Sequence, residues 1–325
     1  MSPRLRICAI LMVMWAAAGT ARAATPEECH ALSKHGRRPE ARACYQSLTE
    51  LRDPYMRAEG FWGLAEFQDA NEQFRLAVAQ SPRNAMYRVR WGRLMKERFN
   101  SADATDLFNE ALEIDQRNAP AHVGLAVVAA GSFDPKAVQF ASRAIELDPK
   151  LLEAHELLAN LLLEDSEPEK AAARADEALK ISSEALDAMA VHAAIEVLAD
   201  RSPDSWLAKI SAVNSTYGEG YALIAYHLVL NRRYEDGIAY YRRAIQADPQ
   251  LWAARSQLGI NLMRLGQEVA EEIESEQGEQ RRAAGDDRAG QGLVDRCVDD
   301  GFSRPAADQA EVVADPIVDD DRIVQ

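Results

Sequence analysis

Adjacent histidine and carboxylate residues are the side chains of this chain that could bind a zinc ion. A helix presents two imidazoles to one zinc through the pattern H-E-x-x-H, in which the histidines lie one turn apart. His155 and Glu156 begin this pattern, but Ala159 stands where the second histidine is needed. His192 and Glu196 share a helix face, yet two ligands do not complete a zinc site. We therefore predict no metal site and interpret these histidines as packed or solvent-exposed residues.

No pattern in the sequence supplies a nucleophile or a phosphate-binding loop. The motifs G-x-S-x-G, G-x-x-x-x-G-K-[ST] and G-x-G-x-x-G are absent from the sequence. Gly218 and Gly220 precede an apolar segment, where a simple turn is the favoured interpretation. Asp319, Asp320 and Asp321 could attract calcium, but they lack ligands at alternate positions and a turning glycine. The sequence predicts no catalytic residue and no cofactor, and hence a protein that is not an enzyme.

The charge of the chain limits the class of partner. Among 325 residues, 52 are acidic and 37 are Lys or Arg, which gives a formal net charge of -15. Nucleic-acid binding depends on clustered Lys and Arg that displace counterions from phosphates. We therefore predict no nucleic-acid partner.

The first 23 residues have the pattern of a secretory signal peptide. Arg4 and Arg6 form a basic start, residues 7–18 form an apolar run, and residues 21–23 read Ala-Arg-Ala, which fits an A-x-A cleavage site. We expect the mature chain to begin near Ala24, with a periplasmic or secreted location and no membrane span after cleavage. An uncleaved membrane anchor is the alternative, although the apolar run is short for a span.

Two cysteines near the start of the predicted mature chain are candidates for a disulfide. Cys29 and Cys44 lie in helix-like segments on either side of a turn at 35–39. In an oxidising compartment a bridge would close a loop of about 15 residues and stabilise the hairpin by about 3 kcal/mol. Two buried free thiols are the alternative. The bridge would leave Cys297 unpaired.

Small and aromatic residues recur at intervals of 34 residues along the chain. Ala77 and Ala111 are one such pair, since 111 − 77 = 34. The first two clear copies align Ala70, Phe74 and Ala77 with Ala104, Phe108 and Ala111. Further copies contain Ala137, Ala141 and Ala144, then Ala171, Ala175 and Ala178, and then Gly237, Tyr241 and Ala244. A degenerate copy lies between Leu186 and Asn214. This period predicts stacked helical hairpins, each of which covers the apolar side of its neighbour.

A second set of small residues marks where paired helices must approach closely. Its members are Gly92, Ala126, Ala159, Ala225 and Gly259, each next to a larger apolar residue. Small residues let two backbones approach while the larger neighbours fill the space beside them. We expect these positions on the first helix of each hairpin.

The 34-residue pattern resembles the tetratricopeptide repeat family over about residues 27 to 267. The runs 87–94, 154–160 and 258–266 look like exported bacterial members of that family. The resemblance implies an all-α solenoid of helical hairpins, wound as a right-handed superhelix, that binds protein or peptide partners. The chain is thus expected to act as an exported scaffold or adaptor in the cell envelope.

The predicted domains after the leader are an N-terminal hairpin at 24–52, a repeat solenoid at 53–266 and an acidic tail at 267–325. From Glu268 the tail has 17 acidic and 6 basic residues, a net charge of −11 from 6 − 17. We expect a cap helix followed by disorder there. A truncated or frame-altered end is the alternative. Some exported relatives carry a zinc peptidase-like domain after their repeats, and the chain would then be the non-catalytic part of such a protein.

Polar and aromatic residues of the first helices are candidates to contact a partner in the groove. These are Arg90, Arg93, Glu156, Asn160, Tyr221 and Tyr226. The two arginines would favour an acidic segment, and the tyrosines would supply flat apolar contact. Asn160 fits the carboxylate-clamp type of repeat, but Glu156 stands where a basic residue is expected, so the clamp is incomplete. The alternative is that these side chains only keep the groove wall polar. The sequence does not name the partner.

Overall fold

The structure is a computed structural model that describes residues 24–266, and this part of the chain contains helices and no strand. The helices are α1 (Pro26–Lys34), α2 (Arg38–Thr49), α3 (Pro54–Gly63), α4 (Phe67–Gln80), α5 (Ala85–Glu97), α6 (Ser101–Ile114), α7 (Ala119–Ala130), α8 (Lys136–Leu147), α9 (Leu152–Glu164), α10 (Pro168–Ile181), α11 (Leu186–Leu198), α12 (Asp204–Val213), α13 (Gly218–Leu230) and α14 (Tyr234–Ala247). A further helical segment spans 252–266.

Consecutive helices pair as hairpins in two compact units. The first unit ends at Tyr217 and holds six hairpins, from α1/α2 to α11/α12. The second unit begins at Gly218, and in it α13 pairs with α14 before the segment at 252–266. The degenerate copy seen in the sequence forms the pair α11/α12. The predicted all-α fold of repeated helical hairpins is therefore confirmed.

Side-chain caps set where the first helices of the first four hairpins begin. Thr25 and Glu28 form a capping box at α1. Asp53, Asn84 and Asn118 each accept a hydrogen bond from a backbone N–H in the first turn of α3, α5 and α7. Each such cap stabilises its helix by about 1 kcal/mol, because it satisfies a backbone donor that has no partner within the helix.

One residue with a positive φ ends the first helix of every hairpin in the described chain. These residues are Gly36, Ala65, Phe99, Phe133, Ser166, Asp200 and Arg232, with φ between 54° and 68°. A left-handed residue after a helix lets the last carbonyls find donors while the chain turns back. The same backbone conformation thus recurs in both units, although only one of the seven residues is glycine.

The aromatic positions of the 34-residue pattern lie in the core of the hairpins. Phe74 of α4, Phe108 of α6 and Tyr241 of α14 are 0%, 1% and 2% exposed. The small residues that precede and follow them in the pattern are buried on the same helices. This burial confirms the reason for the repeat, which is that each second helix packs between neighbouring first helices.

Phe108 shows how a small residue makes room for an aromatic ring. A Cβ atom added at Gly124 of α7 would lie 2.3 Å from Cε1 of Phe108, and one added at Gly92 of α5 would lie 2.8 Å from the same atom. The Gly124→Ala change is therefore expected to lower the free energy of unfolding by about 1 to 3 kcal/mol, because the ring must shift within a filled core. Denaturant unfolding of the variant and the wild-type protein measures this loss.

Gly131→Ala is the matched control for this prediction. Gly131 is the C-cap residue of α7. A Cβ atom added there would lie 3.0 Å from its nearest neighbour, the Nζ atom at the end of the flexible Lys96 side chain. We expect its free energy of unfolding to stay within about 0.5 kcal/mol of the wild-type value. Equal losses in the Gly124 and Gly131 variants would contradict the packing of Phe108 described above.

The first hairpin contains the two cysteines that the sequence paired. Cys29 of α1 and Cys44 of α2 are joined as a disulfide, with Cα atoms 5.4 Å apart. Cys29 is fully buried and packs with Tyr45 and Leu48 of α2. The bridge and this small apolar cluster hold α1 against α2.

Both ends of the chain lie outside the described residues. The signal peptide predicted at 1–23 and the acidic tail predicted at 267–325 therefore remain predictions from the sequence. None of the helices between residues 24 and 266 combines the length and the apolar character needed to cross a membrane.

Candidate functional site

The first helices of successive hairpins line one side of the first unit. Contacts join α5 to α7, α7 to α9 and α9 to α11. Arg93 of α5 also reaches past α7 to Glu153 of α9, with Nη2 and Oε2 2.5 Å apart. Such a contact between side chains two hairpins apart indicates that the stack curves toward this side. We call this side the concave face; its charged residues include Glu59, Arg90, Arg93, Glu153, Glu156 and Asp187.

Arg90 is held within the molecule by a buried carboxylate. Its Nε and Nη2 atoms each donate a hydrogen bond of 2.6 Å to one carboxylate oxygen of Glu59 in α3. The Glu59 side chain is 0% exposed, and the Arg90 guanidinium stacks 4.5 Å from the centre of the Trp62 ring. This two-pronged geometry is the strong form of an arginine–carboxylate pair. An acidic partner would have to compete with Glu59 for Arg90, and with Glu153 for Arg93.

Two carboxylates of the concave face carry charge that the structure disfavours. Burial raises the pKa of Glu156, and the charge of Asp187 raises it further; N–H groups of Ala188 and Asp187 and the charge of Lys34 oppose this. Protein on several sides likewise raises the pKa of Asp187, while the Tyr217 hydroxyl that donates to it acts in the other direction. Asp187 nevertheless keeps a solvent-exposed surface. The two carboxyl groups therefore interact with each other on the concave face, and Asp187 is the more exposed of the two.

Replacing Glu156 with glutamine is expected to stabilise the protein more at about pH 9 than at about pH 5. Because its folded-state pKa is raised, the folded protein keeps this proton at pH values where the unfolded chain has lost it. The native carboxylate therefore lowers stability as the pH rises above its ordinary pKa of 4.5, whereas glutamine does not ionise. Thermal unfolding of both proteins at the two pH values measures the difference.

Glu169→Gln is the control, because Glu169 is exposed on the neighbouring helix α10. We expect the unfolding of this variant to follow the pH dependence of the wild-type protein. If the Glu156 variant also follows it, the environment described for Glu156 is wrong.

The other predicted groove residues lie in different settings. Asn160 is half-buried on α9, one turn after Glu156, and donates a hydrogen bond of 2.7 Å to Glu164. Tyr221 and Tyr226 belong to α13 in the second unit. The Tyr221 ring packs on the apolar cluster of that unit and lies 4.7 Å from the Arg243 guanidinium, so it contributes to packing. Within the first unit, the structure brings Arg90, Arg93, Glu156 and Asn160 onto one face.

Sequence reasoning missed three charged residues of the concave face. Glu59 had a detectable signal, because it precedes Arg93 by one repeat, 93 − 59 = 34. Glu153 is one helical turn before Glu156 on α9, so the helical period could have placed it on the same face. Asp187 had no signal, since it lies at the start of the degenerate hairpin, where the repeat pattern is weakest.

The histidines considered as zinc ligands are part of the packing. The His155 Nε2 atom lies 3.1 Å from the carbonyl oxygen of Pro149, and the residue is buried. His192 stacks on Trp206 with ring centres 4.4 Å apart, and its Nε2 lies 3.0 Å from Asp176. Within residues 24–266, no group of three or more His, Cys, Asp or Glu side chains could hold a metal ion.

Comparison of the sequence with protein families and with curated proteins gave no match. The structure, in contrast, is similar to many solved structures. It matches Cut9-Hcn1, a hetero-tetramer of the APC/C, with a TM-score of 0.52 and 10% identity over 73% of this chain and 48% of that chain, about half of its length. TTC0263, a thermophilic TPR protein of Thermus thermophilus, gives a TM-score of 0.45 and 16% identity over 55% of this chain and 99% of that chain. YrrB, a TPR protein with an unusual peptide-binding site, gives a TM-score of 0.37 and 16% identity over 58% of this chain and 98% of that chain.

The 34-residue repeat of the sequence and the paired helices of the structure indicate the same architecture. The buried positions recur with the 34-residue period that is typical of tetratricopeptide repeats, and each copy folds as two antiparallel helices. The part of this chain that the structure describes has the tetratricopeptide repeat fold.

Proposed function

We propose that the protein is an exported scaffold that binds a protein or peptide segment on the concave face of its first unit. The observation that carries the proposal is the set of charged side chains there, from Arg90 and Arg93 to Glu156 and Asp187. Helical repeats bind their partners through scattered residues of such inner surfaces. The occupant is a polar segment, because the face offers both guanidinium groups and carboxylates.

The ion pairs of the two arginines affect where on the concave face a partner would bind. Arg90 and Arg93 are already neutralised by Glu59 and Glu153. A partner carboxylate would gain little there unless it displaced one of them, since removing a charge from a paired site has a large cost. The Asp187 side chain is exposed and accepts a hydrogen bond from the Tyr217 hydroxyl. A donor group of the partner would therefore be accommodated more readily beside Asp187.

Export is the second part of the proposal. The leader-like pattern at 1–23 and the disulfide between Cys29 and Cys44 support it, because disulfides persist in oxidising compartments outside the cytosol. Fractionation of the native cells followed by mass spectrometry of the amino terminus tests this part. A mature terminus near Ala24 in the envelope fraction is the expected result, and an intact Met1 in the cytosol would contradict it.

Site-specific photo-crosslinking in the native host tests partner binding on the concave face. A photoreactive amino acid at Asp187 is expected to yield a discrete crosslinked species, because this residue is exposed on that face. The same amino acid at Glu169, exposed on the second helix α10, is the control and should not yield it. Crosslinks of equal strength at both positions, or none at either, would contradict the proposal. Charge reversal at Arg90 is a weaker test, since it would also leave Glu59 unpaired.

A further inference from the structure

The turn of the first hairpin touches the opposite end of the first unit. The Nε2 atom of His35 lies 3.0 Å from Oε2 of Glu184, a residue 149 positions later in the connection between α10 and α11. Gly36 follows, and an added Cβ there would lie 2.4 Å from Oδ1 of Asn214, just after α12. The hairpins between them therefore curve far enough to bring the two ends of the unit into contact.

His35 and Gly36 both fit this contact. The Nδ1 atom of His35 lies 2.6 Å from the carbonyl oxygen of Ala31, which fixes the ring so that Nε2 faces Glu184. Both ring nitrogens thus lie within hydrogen-bond distance of an oxygen atom. Gly36 has a φ of 68°, which favours glycine, and a side chain there would collide with Asn214. The turn thus combines a hydrogen bond between His35 and Glu184 with a close backbone approach at Gly36.

The contact is small compared with what holds the hairpin together. The side chains of His35 and Glu184 are 38% and 49% exposed, and exposed ion pairs contribute little because water screens them. Within the hairpin, by contrast, Cys29 and Cys44 are bonded and α1 packs on α2. The hairpin can therefore separate from Glu184 while remaining folded.

In this structure α1 lies over the concave face. The Nε2 atom of His30 is 3.7 Å from Oε2 of Glu59 and 3.4 Å from Nη2 of Arg90. The charge of Lys34, at the end of α1, acts on Glu156 and Asp187. One helix therefore faces charged residues of α3, α5, α9 and α11, the residues on which the proposed function rests.

We propose that the disulfide-bonded hairpin of α1 and α2 is a clasp, held by His35 and Gly36 against Glu184 and Asn214, which must open to admit a partner to the concave face. The inference rests on the proposed function and adds a conformational control to it. In the closed state the hairpin competes with the partner for the same charged surface, which makes the contact autoinhibitory. A partner that binds the open state shifts the population toward it.

Charge reversal at Glu184 tests the clasp in the full chain. Glu184→Lys removes the acceptor that His35 faces and places a cation there, and Glu169→Lys makes the same change at an exposed site on α10. We expect amide exchange in residues 31–37 to rise by about tenfold in the Glu184 variant alone. Carbodiimide labelling of the Glu156 carboxyl group should rise with it, because the concave face becomes open.

A second variant, in which a disulfide holds the clasp closed, should have the opposite effect. Gly36→Cys with Asn214→Cys should form a disulfide, since an added Cβ at 36 lies 3.1 Å from Cγ of Asn214, the position of a cysteine sulfur. Labelling of Glu156 should then fall below the wild-type level and recover on reduction. Unchanged amide exchange in the Glu184 variant, or equal labelling in the locked and Glu184 variants, would overturn the clasp. Labelling needs no partner, so its outcome is independent of the crosslinking test of the proposed function.

Discussion

Replacing Arg90 with methionine is expected to lower the free energy of unfolding by about 3 to 5 kcal/mol, because it leaves a buried carboxylate without its counter-charge. Glu59 is 1% exposed, and both of its oxygens accept hydrogen bonds from Arg90. Tyr55 also hydrogen-bonds to Glu59, and burial together with this carboxylate raises the pKa of the phenol. A tyrosine hydroxyl cannot replace a guanidinium charge. Denaturant unfolding of the variant measures the loss.

The loss should be largely reversed in the double variant Arg90→Met, Glu59→Gln. Glutamine keeps an acceptor for Tyr55 but carries no charge, so the desolvation cost that Arg90 offsets disappears with it. A double-mutant cycle with the two single variants gives the coupling between the side chains. A buried pair whose coupling is large would show that the arginine mainly compensates Glu59.

Arg37→Met is the matched control for the buried pair. Arg37 also contacts a carboxylate, that of Glu40 one turn later, but both side chains are largely exposed, at 58% and 50%. We expect this variant to unfold almost as the wild-type protein does, because water screens the pair. If Arg90→Met lost no more stability than Arg37→Met, the internal role assigned to Arg90 would be wrong, and a role in partner contact would be favoured instead.

The positions that repeat along the chain could be predicted because local packing determines them. Phe74, Phe108 and Tyr241 each fill the same space within a hairpin and its next neighbour, so the same residue type recurs at a fixed spacing. A pattern of this kind depends only on nearest neighbours in the stack. The regular spacing therefore predicts stacked helical hairpins from the sequence.

The ion pairs of the concave face could not be predicted in the same way. The Arg93–Glu153 and His35–Glu184 contacts join residues 60 and 149 positions apart. Whether such residues meet depends on how much each hairpin is rotated relative to the one before it, and the sequence pattern does not fix this angle. Arg90 and Arg93 were correctly placed on the first helices, but their carboxylate partners depend on the curvature.

The contacts of the irregular hairpin α11/α12 could not be predicted from the sequence either. Its helices were detected in the sequence only as a degenerate copy, yet Asp187 at its start interacts with Glu156 and Tyr217. Ala185, at the N-cap position of α11, supplies no side-chain cap, and N–H groups at the start of this helix instead face Glu156 of the preceding hairpin. These contacts could not be predicted from the repeat pattern, because the pattern is weakest at this hairpin.

Removing the disulfide by the double change Cys29→Ala, Cys44→Ala is expected to destabilise the first hairpin by about 3 kcal/mol, because the 15-residue loop then gains freedom when it unfolds. The first hairpin lies at one end of the stack and packs mainly on α3, so the loss should appear as local opening. Amide hydrogen exchange in residues 26–49 measures it. Exchange in the second unit should not change.

Reduction provides an independent form of the same experiment. A reductant should accelerate exchange in residues 26–49 of the wild-type protein and leave the double alanine variant unchanged. Cys297→Ser is the matched control, and it should respond to reductant as the wild-type protein does, because Cys29 and Cys44 remain. Alkylation of Cys29 and Cys44 without reductant would show that the bridge is absent. In that case the hairpin would depend on the packing of Tyr45 and Leu48 alone, and it would open far more readily from Glu184.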